Sequence, residues 1–278
     1  MGLFDGCLLV SDIDGTLLHD GIIPEKNIEA IEWFKSEGGI FTIATGRAVV
    51  ASKYSYDISR ANAPVIALNG AVIYDFQKQK FLYEKALDPG CADIVFEILE
   101  KFPTVGAEFF SGLDIYLIRG NAGTKFHCEY EHFKFKDLPS NYKSLPWGKV
   151  LLAFEDFETV AKVNEYVKKF DVDCCDFVNT CVSEKARYFE LLPAGVNKGT
   201  AIKELKKLYN AKYSFGIGDF YNDRELILEA DYGAATAASP ECIKEIANYV
   251  TCACEDGAVA DFINQISLFM KGSSVWIR

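Results

Sequence analysis

The chain has 278 residues, half of them apolar, enough for one large or two modest domains with a substantial core. Acidic residues outnumber basic ones 40 to 29, and the net charge of −11 argues against nucleic acid as a partner. No apolar run is long enough to span a membrane, no signal peptide opens the chain, and Met1-Gly2 lacks the serine or threonine of a myristoylation site. No membrane partner and a cytoplasmic location are therefore expected. Nine scattered cysteines, an odd number, read as buried reduced thiols rather than as a disulfide framework.

The apolar run from Cys7 reads as a buried strand that delivers Asp12 and Asp14 into a Gly15-Thr16 turn. Two carboxylates held so close repel each other unless positive charge sits between them, and a divalent cation is the usual solution. The first carboxylate could then attack an electrophile while the second handles protons. A plain strand-ending turn is the other reading of the same residues. A helix over about 25–37 turns Ile28, Ile31 and Phe34 inward and stops at Gly38-Gly39. The next strand begins at Ile40 and runs into Thr45-Gly46-Arg47, whose hydroxyl and amides suit a phosphate oxygen, unless Thr45 simply caps a helix. Pro64 to Ala67 is a further strand. Asn69-Gly70 is a hairpin signal leading into Ala71 to Tyr74, and Lys80 to Lys85 alternates as a strand that pairs with it.

Residues 83–190 have a different texture. A helix pattern carries Ile94, Val95, Ile98 and Leu99, and strands over Gly106 to Phe110 and Asp114 to Ile118 flank a Ser-Gly turn. The aromatic stretch Phe126 to Tyr142 reads as packing, and His127 and His132, five apart, do not share a helix face as a zinc pair would. A strand over Lys149 to Phe154, a helix over Ala161 to Phe170 and a returning strand over Arg187 to Leu192 complete an α+β pattern set inside an α/β one. The expected domains are thus 1–82 with 191–278, and 83–190.

Beyond the insertion, Lys198 opens a helix with Ile202, Leu205, Leu208 and Tyr209 on one face. A cation at a helix start opposes the macrodipole unless an anion answers it; otherwise Lys198 is a solvated surface residue. The order Gly-Lys-Ser/Thr is absent, so this is not a P-loop. The strand from Tyr213 ends in Gly218-Asp219, with Asn222 and Asp223 close behind, although Asp223 also suits a helix cap before Leu226, Ile227 and Ala230. Ile243, Ile246, Ala247 and Val250 recur at helical spacing.

In an open parallel sheet the ligand site lies beyond the carboxyl ends of the strands. The strand-to-loop junctions would gather Asp12, Asp14, Thr45, Lys198, Asp219 and Asp223 at one edge, a site for phosphoryl transfer around a hard cation. The ordered set Asp12-Ile13-Asp14-Gly15-Thr16, Thr45-Gly46-Arg47, Lys198-Gly199 and Gly218-Asp219-Phe220-Tyr221-Asn222-Asp223 resembles the four motifs of the haloacid dehalogenase-like superfamily. Asn69-Gly70-Ala71 and Asp256-Gly257-Ala258-Val259-Ala260 resemble those of its Cof-type phosphatases, the branch with a C2-type cap. After the fourth motif the chain departs from the family, reading Ala230 to Ser239 where Gly-Val-Ala-Met-Gly-Asn-Ala is usual.

The resemblance implies a Rossmann-like doubly wound parallel core with an inserted α+β cap. It also implies a Mg2+-dependent phosphatase acting on a small phosphate ester such as a sugar phosphate. By the same resemblance Asp12 is the nucleophile, and Asp14 the acid and then the base. Asp12, Asp14 (through its backbone carbonyl), Asp219 and Asp223 hold the metal, and Thr45, Gly46, Lys198 and Asn222 hold the phosphate. A phosphomutase on the same scaffold is the near alternative, and a non-catalytic phosphate-binding protein the rival of another class. The insertion, as the one large segment between motifs, is expected to discriminate among leaving groups.

Overall fold

β1 (Cys7–Ser11) is buried along its whole length, the state its uninterrupted apolar run requires. It is followed by α1 (Glu25–Ser36), β2 (Ile40–Ile43), α2 (Val49–Ile58), β3 (Val65–Ala67), β4 (Val72–Asp75) and β5 (Lys80–Glu84). The middle of the chain forms α3 (Gly90–Lys101), β6 (Gly106–Ser111), β7 (Asp114–Arg119), α4 (Ala122–Tyr130) and β8 (Lys136–Asp137). It continues with β9 (Lys149–Phe154), α5 (Phe157–Val167), β10 (Cys175–Ser183) and β11 (Ala186–Pro193). Last come α6 (Lys198–Leu208), β12 (Tyr213–Gly218), α7 (Arg224–Glu229), β13 (Tyr232–Ala235), α8 (Glu241–Lys244), β14 (Tyr249–Val250) and α9 (Ala258–Met270). This computed structural model describes residues 2–170, 175–183 and 186–273. The chain divides into two units: Met1–Gly46 with Ser52–Leu82 and Asn197–Arg278, and Arg47–Ala51 with Tyr83–Val196.

The first unit is built on a five-stranded sheet in the order β14-β13-β12-β1-β2, parallel throughout. Helices wind it into the Rossmann-like doubly wound core, with α1 against α9 and α6 against α7. A smaller sheet, β3-β4-β5, stands beside β2, and β3 and β4 form the hairpin expected around Asn69-Gly70. Leu8, Leu9, Phe41, Phe215 and Phe262 are wholly buried, each stabilising the unit by roughly 1.5–3 kcal/mol.

Three expectations fail here. Asn27, not Ile28, is the buried neighbour of Ile31 in α1, because its amide oxygen accepts from the Ala260 N–H at 2.9 Å. Leu208 is 56% exposed at the end of α6, where only Ala201, Ile202 and Leu205 reach the core among the apolar residues. The helical spacing through Val250 is coincidental: α8 ends at Lys244, and β14 adds to the sheet edge beside β13.

The second unit carries a six-stranded sheet, β10-β11-β9-β6-β7-β8, antiparallel except for the β7–β8 pair. Alternation along its strands separates two faces. Ala107, Phe109, Val150, Leu152, Phe189 and Leu191 join Val95 and Ile98 of α3 and Val163 of α5 in one apolar cluster. The helix expected at Ala161 starts at Phe157, because the Asp156 side chain accepts from the Thr159 N–H at 2.7 Å and caps it. It ends at Val167, short of Phe170.

The opposite face of this sheet sets buried charges among apolar side chains such as Phe110 and Leu151. Glu108 of β6, Lys149 of β9 and Glu190 of β11 are buried there, in strands against which α4 packs. The Lys149 ammonium donates to Glu190 Oε1 at 3.0 Å and lies 4.6 Å from the centre of the Phe110 ring. His127 of α4 pairs through Nδ1 with Glu108 and through Nε2 with Glu131 Oε1 at 3.4 Å. Burial opposes a charge on His127, but Glu108 and then Glu131 outweigh it and raise its pKa to about 9. Burial also opposes ionisation of Glu131, yet the hydrogen bond and charge of His127 hold its carboxyl below the usual range. At Glu108 burial prevails and pushes the carboxyl up. The Arg47 guanidinium, 5.9 Å from the centre of the Tyr130 ring, adds a further positive charge near Glu131.

Candidate active site

β1 and β12 run parallel with Ser11 opposite Ile217, so the residues that follow them emerge side by side. The Asp12 N–H donates to the Ile217 carbonyl at 2.9 Å, and Asp219 leaves the end of β12. Between them the chain reverses tightly, the Ile13 carbonyl accepting from the Leu17 and Leu18 N–H groups at 2.9 and 2.8 Å. Gly15 sits in that reversal at φ +85°, and a Cβ there would lie 2.6 Å from Asp219 Oδ2. Only glycine satisfies both conditions.

Lys198 enters from α6. Asn197 caps that helix, its side chain accepting from the Thr200 N–H at 2.8 Å, which fixes Lys198 in the first turn. The Lys198 side chain is fully buried, and its ammonium donates both to Asp12 Oδ1 and to Asp223 Oδ1, the latter at 2.6 Å. These are the anions that a lysine at a helix N-terminus requires. Asp223 Oδ2 accepts from the Asp219 and Phe220 N–H groups, each at 3.1 Å, so one carboxylate ties the loop after β12 to Lys198. Thr16 Oγ1 donates to Asp219 Oδ1 at 2.8 Å. The second oxygen of Asp12 has no hydrogen bond among the described residues.

Oxygens of Asp12, Asp219 and Asp223 lie within 4.8 Å of one another. Burial and then the Asp223 charge push the Asp12 carboxyl well above the usual range, against the pull of Lys198. Burial, followed by Asp223, pushes Asp219 up to about 6, while Thr16 and Lys198 draw it down. Burial works against the Lys198 charge, but Asp12 and Asp223 outweigh it and hold the ammonium protonated. Three carboxylates against one ammonium make a largely buried, all-oxygen donor set with a formal excess of two negative charges, which fits one hard divalent cation.

Of the residues expected at the site, Asp12, Lys198, Asp219 and Asp223 are in direct contact or within this group. Asp14 is exposed, and its carboxylate stands outside the three-oxygen group although its charge reaches Asp219. Thr45 is buried just beyond β2; α2 begins only at Val49, so it is not that helix's cap. Gly46 and Asn222 both lie against Asn69. Asn69, in the sequence a hairpin residue within a Cof-type motif, and Thr16, a turn residue within the first motif, carry no expected role at the site. The buried thiols of Cys7 and Cys254 are pushed up to about 12, Cys254 by burial and then by Asp219, so neither is a ready nucleophile.

The chain thus combines a parallel α/β core, with acidic strand ends around a buried lysine, and an α+β segment inserted between its parts. The haloacid dehalogenase-like hydrolase family model matches residues 9–263, and the chain belongs to that family. It is accordingly an enzyme, a phosphatase of the haloacid dehalogenase-like kind. It is 24% identical over 264 residues to the 5-amino-6-(5-phospho-D-ribitylamino)uracil phosphatase YitU of Bacillus subtilis, covering 93% of this chain and 96% of that one. Its fold is similar to a haloacid dehalogenase-like hydrolase from Bacteroides thetaiotaomicron, with TM-score 0.81 at 20% identity and coverage of 95% and 99% of the two chains. It is similar also to the subclass IIB sugar phosphatase BT4131, with TM-score 0.77 at 21% identity and coverage of 92% and 97%.

Proposed function

We propose that the protein is a Mg2+-dependent phosphatase that releases inorganic phosphate from a small, hydroxyl-rich phosphate monoester through an aspartyl-phosphate intermediate. The observation that carries this reading is Asp12, buried beside Lys198 and two further carboxylates, with its second oxygen free of hydrogen bonds among the described residues. Asp12 attacks phosphorus, the ester P–O bond breaks, and Asp14 gives the leaving oxygen its proton. Asp14, now ionised, takes a proton from water as that water attacks the acyl phosphate, which releases phosphate and restores Asp12. The exposure of Asp14 suits a group that meets both the leaving group and water.

Lys198, Thr45, the Gly46 amide and Asn222 orient the phosphoryl oxygens. The carboxylates of Asp12 and Asp219 and the Asp14 carbonyl would hold Mg2+, with Asp223 supporting the set. Bound there, the ion would neutralise charge between two anionic reactants. The ribityl phosphate named for one relative and the sugar phosphates implied for another favour a polyol or sugar phosphate as substrate. The free thiols among the described cysteines agree with a reducing, cytoplasmic setting. The test is phosphate release across sugar phosphates, ribityl phosphates, nucleotides and phospho-amino acids with Mg2+ present. Polyol or sugar phosphates should rank first. Release from none of these classes would contradict the reading.

A further inference from the structure

The connection between β3 and β4 is more than a turn. Leu68 and Asn69 both adopt left-handed backbone, φ +50° and +53°, and Gly70 follows at φ +103°. Asparagine tolerates that region in an ordinary hairpin, but leucine gains nothing from it, and two such residues in succession signal a constraint from outside the turn. All three residues are buried, Asn69 being only 6% exposed.

The surroundings identify the constraint. The Asn69 N–H donates to the Thr45 carbonyl at 3.0 Å. Its side-chain Oδ1 accepts from Asn222 Nδ2 at 3.3 Å. The same amide lies against Gly46, where a Cβ would meet Asn69 Oδ1 at 3.1 Å and Nδ2 at 3.2 Å. Gly70 packs so closely on α6 that a Cβ would fall 2.2 Å from the Asn197 carbonyl oxygen and 3.2 Å from the Lys198 nitrogen. One buried turn thus touches the loops that carry Thr45-Gly46, Lys198 and Asn222.

We infer that Asn69 is a positioning residue of the phosphate cradle: its side-chain amide holds Asn222 and the Gly46 peptide in register with Lys198. This rests on the phosphatase reading above. A positioning residue acts on the affinity for the phosphoryl group rather than on the attacking carboxylate, so its removal should separate the two.

The test compares wild type with Asn69→Gly, which keeps the left-handed backbone and deletes the side chain, and with Asn69→Asp, which keeps the shape and the acceptor for Asn222 but sets an anion against Gly46. Inorganic phosphate is titrated into each protein with Mg2+ present, and KM and kcat are measured for an aryl phosphate. Asn69→Gly should weaken phosphate binding and raise KM on the order of tenfold, the loss of about one hydrogen bond in a polar network. kcat should fall less, and the unfolding midpoint should stay near that of wild type. Asn69→Asp should bind phosphate more weakly still. In an Asn222→Ala background the Asn69→Gly change should have a much smaller effect. Wild-type phosphate affinity in both Asn69 variants would overturn the inference, as would an undiminished effect of Asn69→Gly without Asn222. If Asn69→Gly fails to fold, Asn69→Asp decides. A wild-type protein that binds phosphate but hydrolyses nothing would defeat the phosphatase reading, while the binding titrations would still decide the role of Asn69.

Discussion

The protein buries two groups of charges, one in each unit, and they are built to opposite plans. In the first unit Asp12, Asp219 and Asp223 surround one ammonium, Lys198, at the ends of parallel strands. In the second, Glu108, Glu131 and Glu190 are matched by His127, Lys149 and Arg47 on a sheet face against which α4 packs. The second group balances in number, three carboxylates to three cations, although Glu108 and Glu131 keep buried oxygens without a hydrogen bond among the described residues. The first has three carboxylates to one ammonium. A buried ionic group that balances is architecture, and replacing it costs stability. One that does not balance is held by the fold for something that arrives, and replacing it costs chemistry.

The sharpest way to break that contrast is Asp12→Asn. Phosphate release should fall by roughly four orders of magnitude, as for loss of a nucleophile, while the unfolding midpoint holds, because one of three mutually repelling carboxylates has gone. A variant that loses its fold together with its activity would assign Asp12 to architecture. Asp14→Asn should slow both half-reactions by about 10²- to 10³-fold. Radioactive phosphate trapped during turnover should then sit on Asp12; label on Asp14 would reverse the two roles.

The second unit should respond in stability. His127→Gln leaves Glu108 and Glu131 buried without their cation and should destabilise the protein by about 3–5 kcal/mol, with kcat largely kept at a temperature where it remains folded. Chemical denaturation measures the first and steady-state kinetics the second. The smallest effect is the pH dependence. The His127 pKa is raised to about 9 in the fold, so its contribution is full below the unfolded value near 6.5 and is lost as pH rises through about 9. Wild type should therefore lose on the order of 3 kcal/mol across that window, and His127→Gln should show a flatter alkaline limb. Parallel limbs would remove His127 from the account.

The first group was legible in the sequence because each member sits at a local landmark. A strand that stops at Asp12, at Thr45 or at Asp219 can be read from a few neighbouring residues, and the rule for parallel sheets brings the landmarks together. Lys198 lies 186 residues from Asp12 yet was found from its place at a helix start. The second group has no such signal. Glu108, His127, Lys149 and Glu190 each look like a solvated charge or a stray histidine, and only the register of β6, β9 and β11 under α4 makes them one cluster. Asn69 was missed for a related reason: Asn-Gly announces a turn, but not that the turn is buried among three loops. Local errors had local causes, such as the Asp156 cap that starts α5 early and the sheet edge that claims Val250 from a helical period. The assignment of site roles rests on proposals that the variants above examine.

The central claim, that the unbalanced group in the first unit is completed by a divalent cation, is tested most directly by aryl phosphate turnover measured in excess EDTA and again after Mg2+ is restored. The account predicts that turnover is abolished by the chelator and returns with Mg2+, with the fold intact throughout. Undiminished phosphate release in excess EDTA would contradict it.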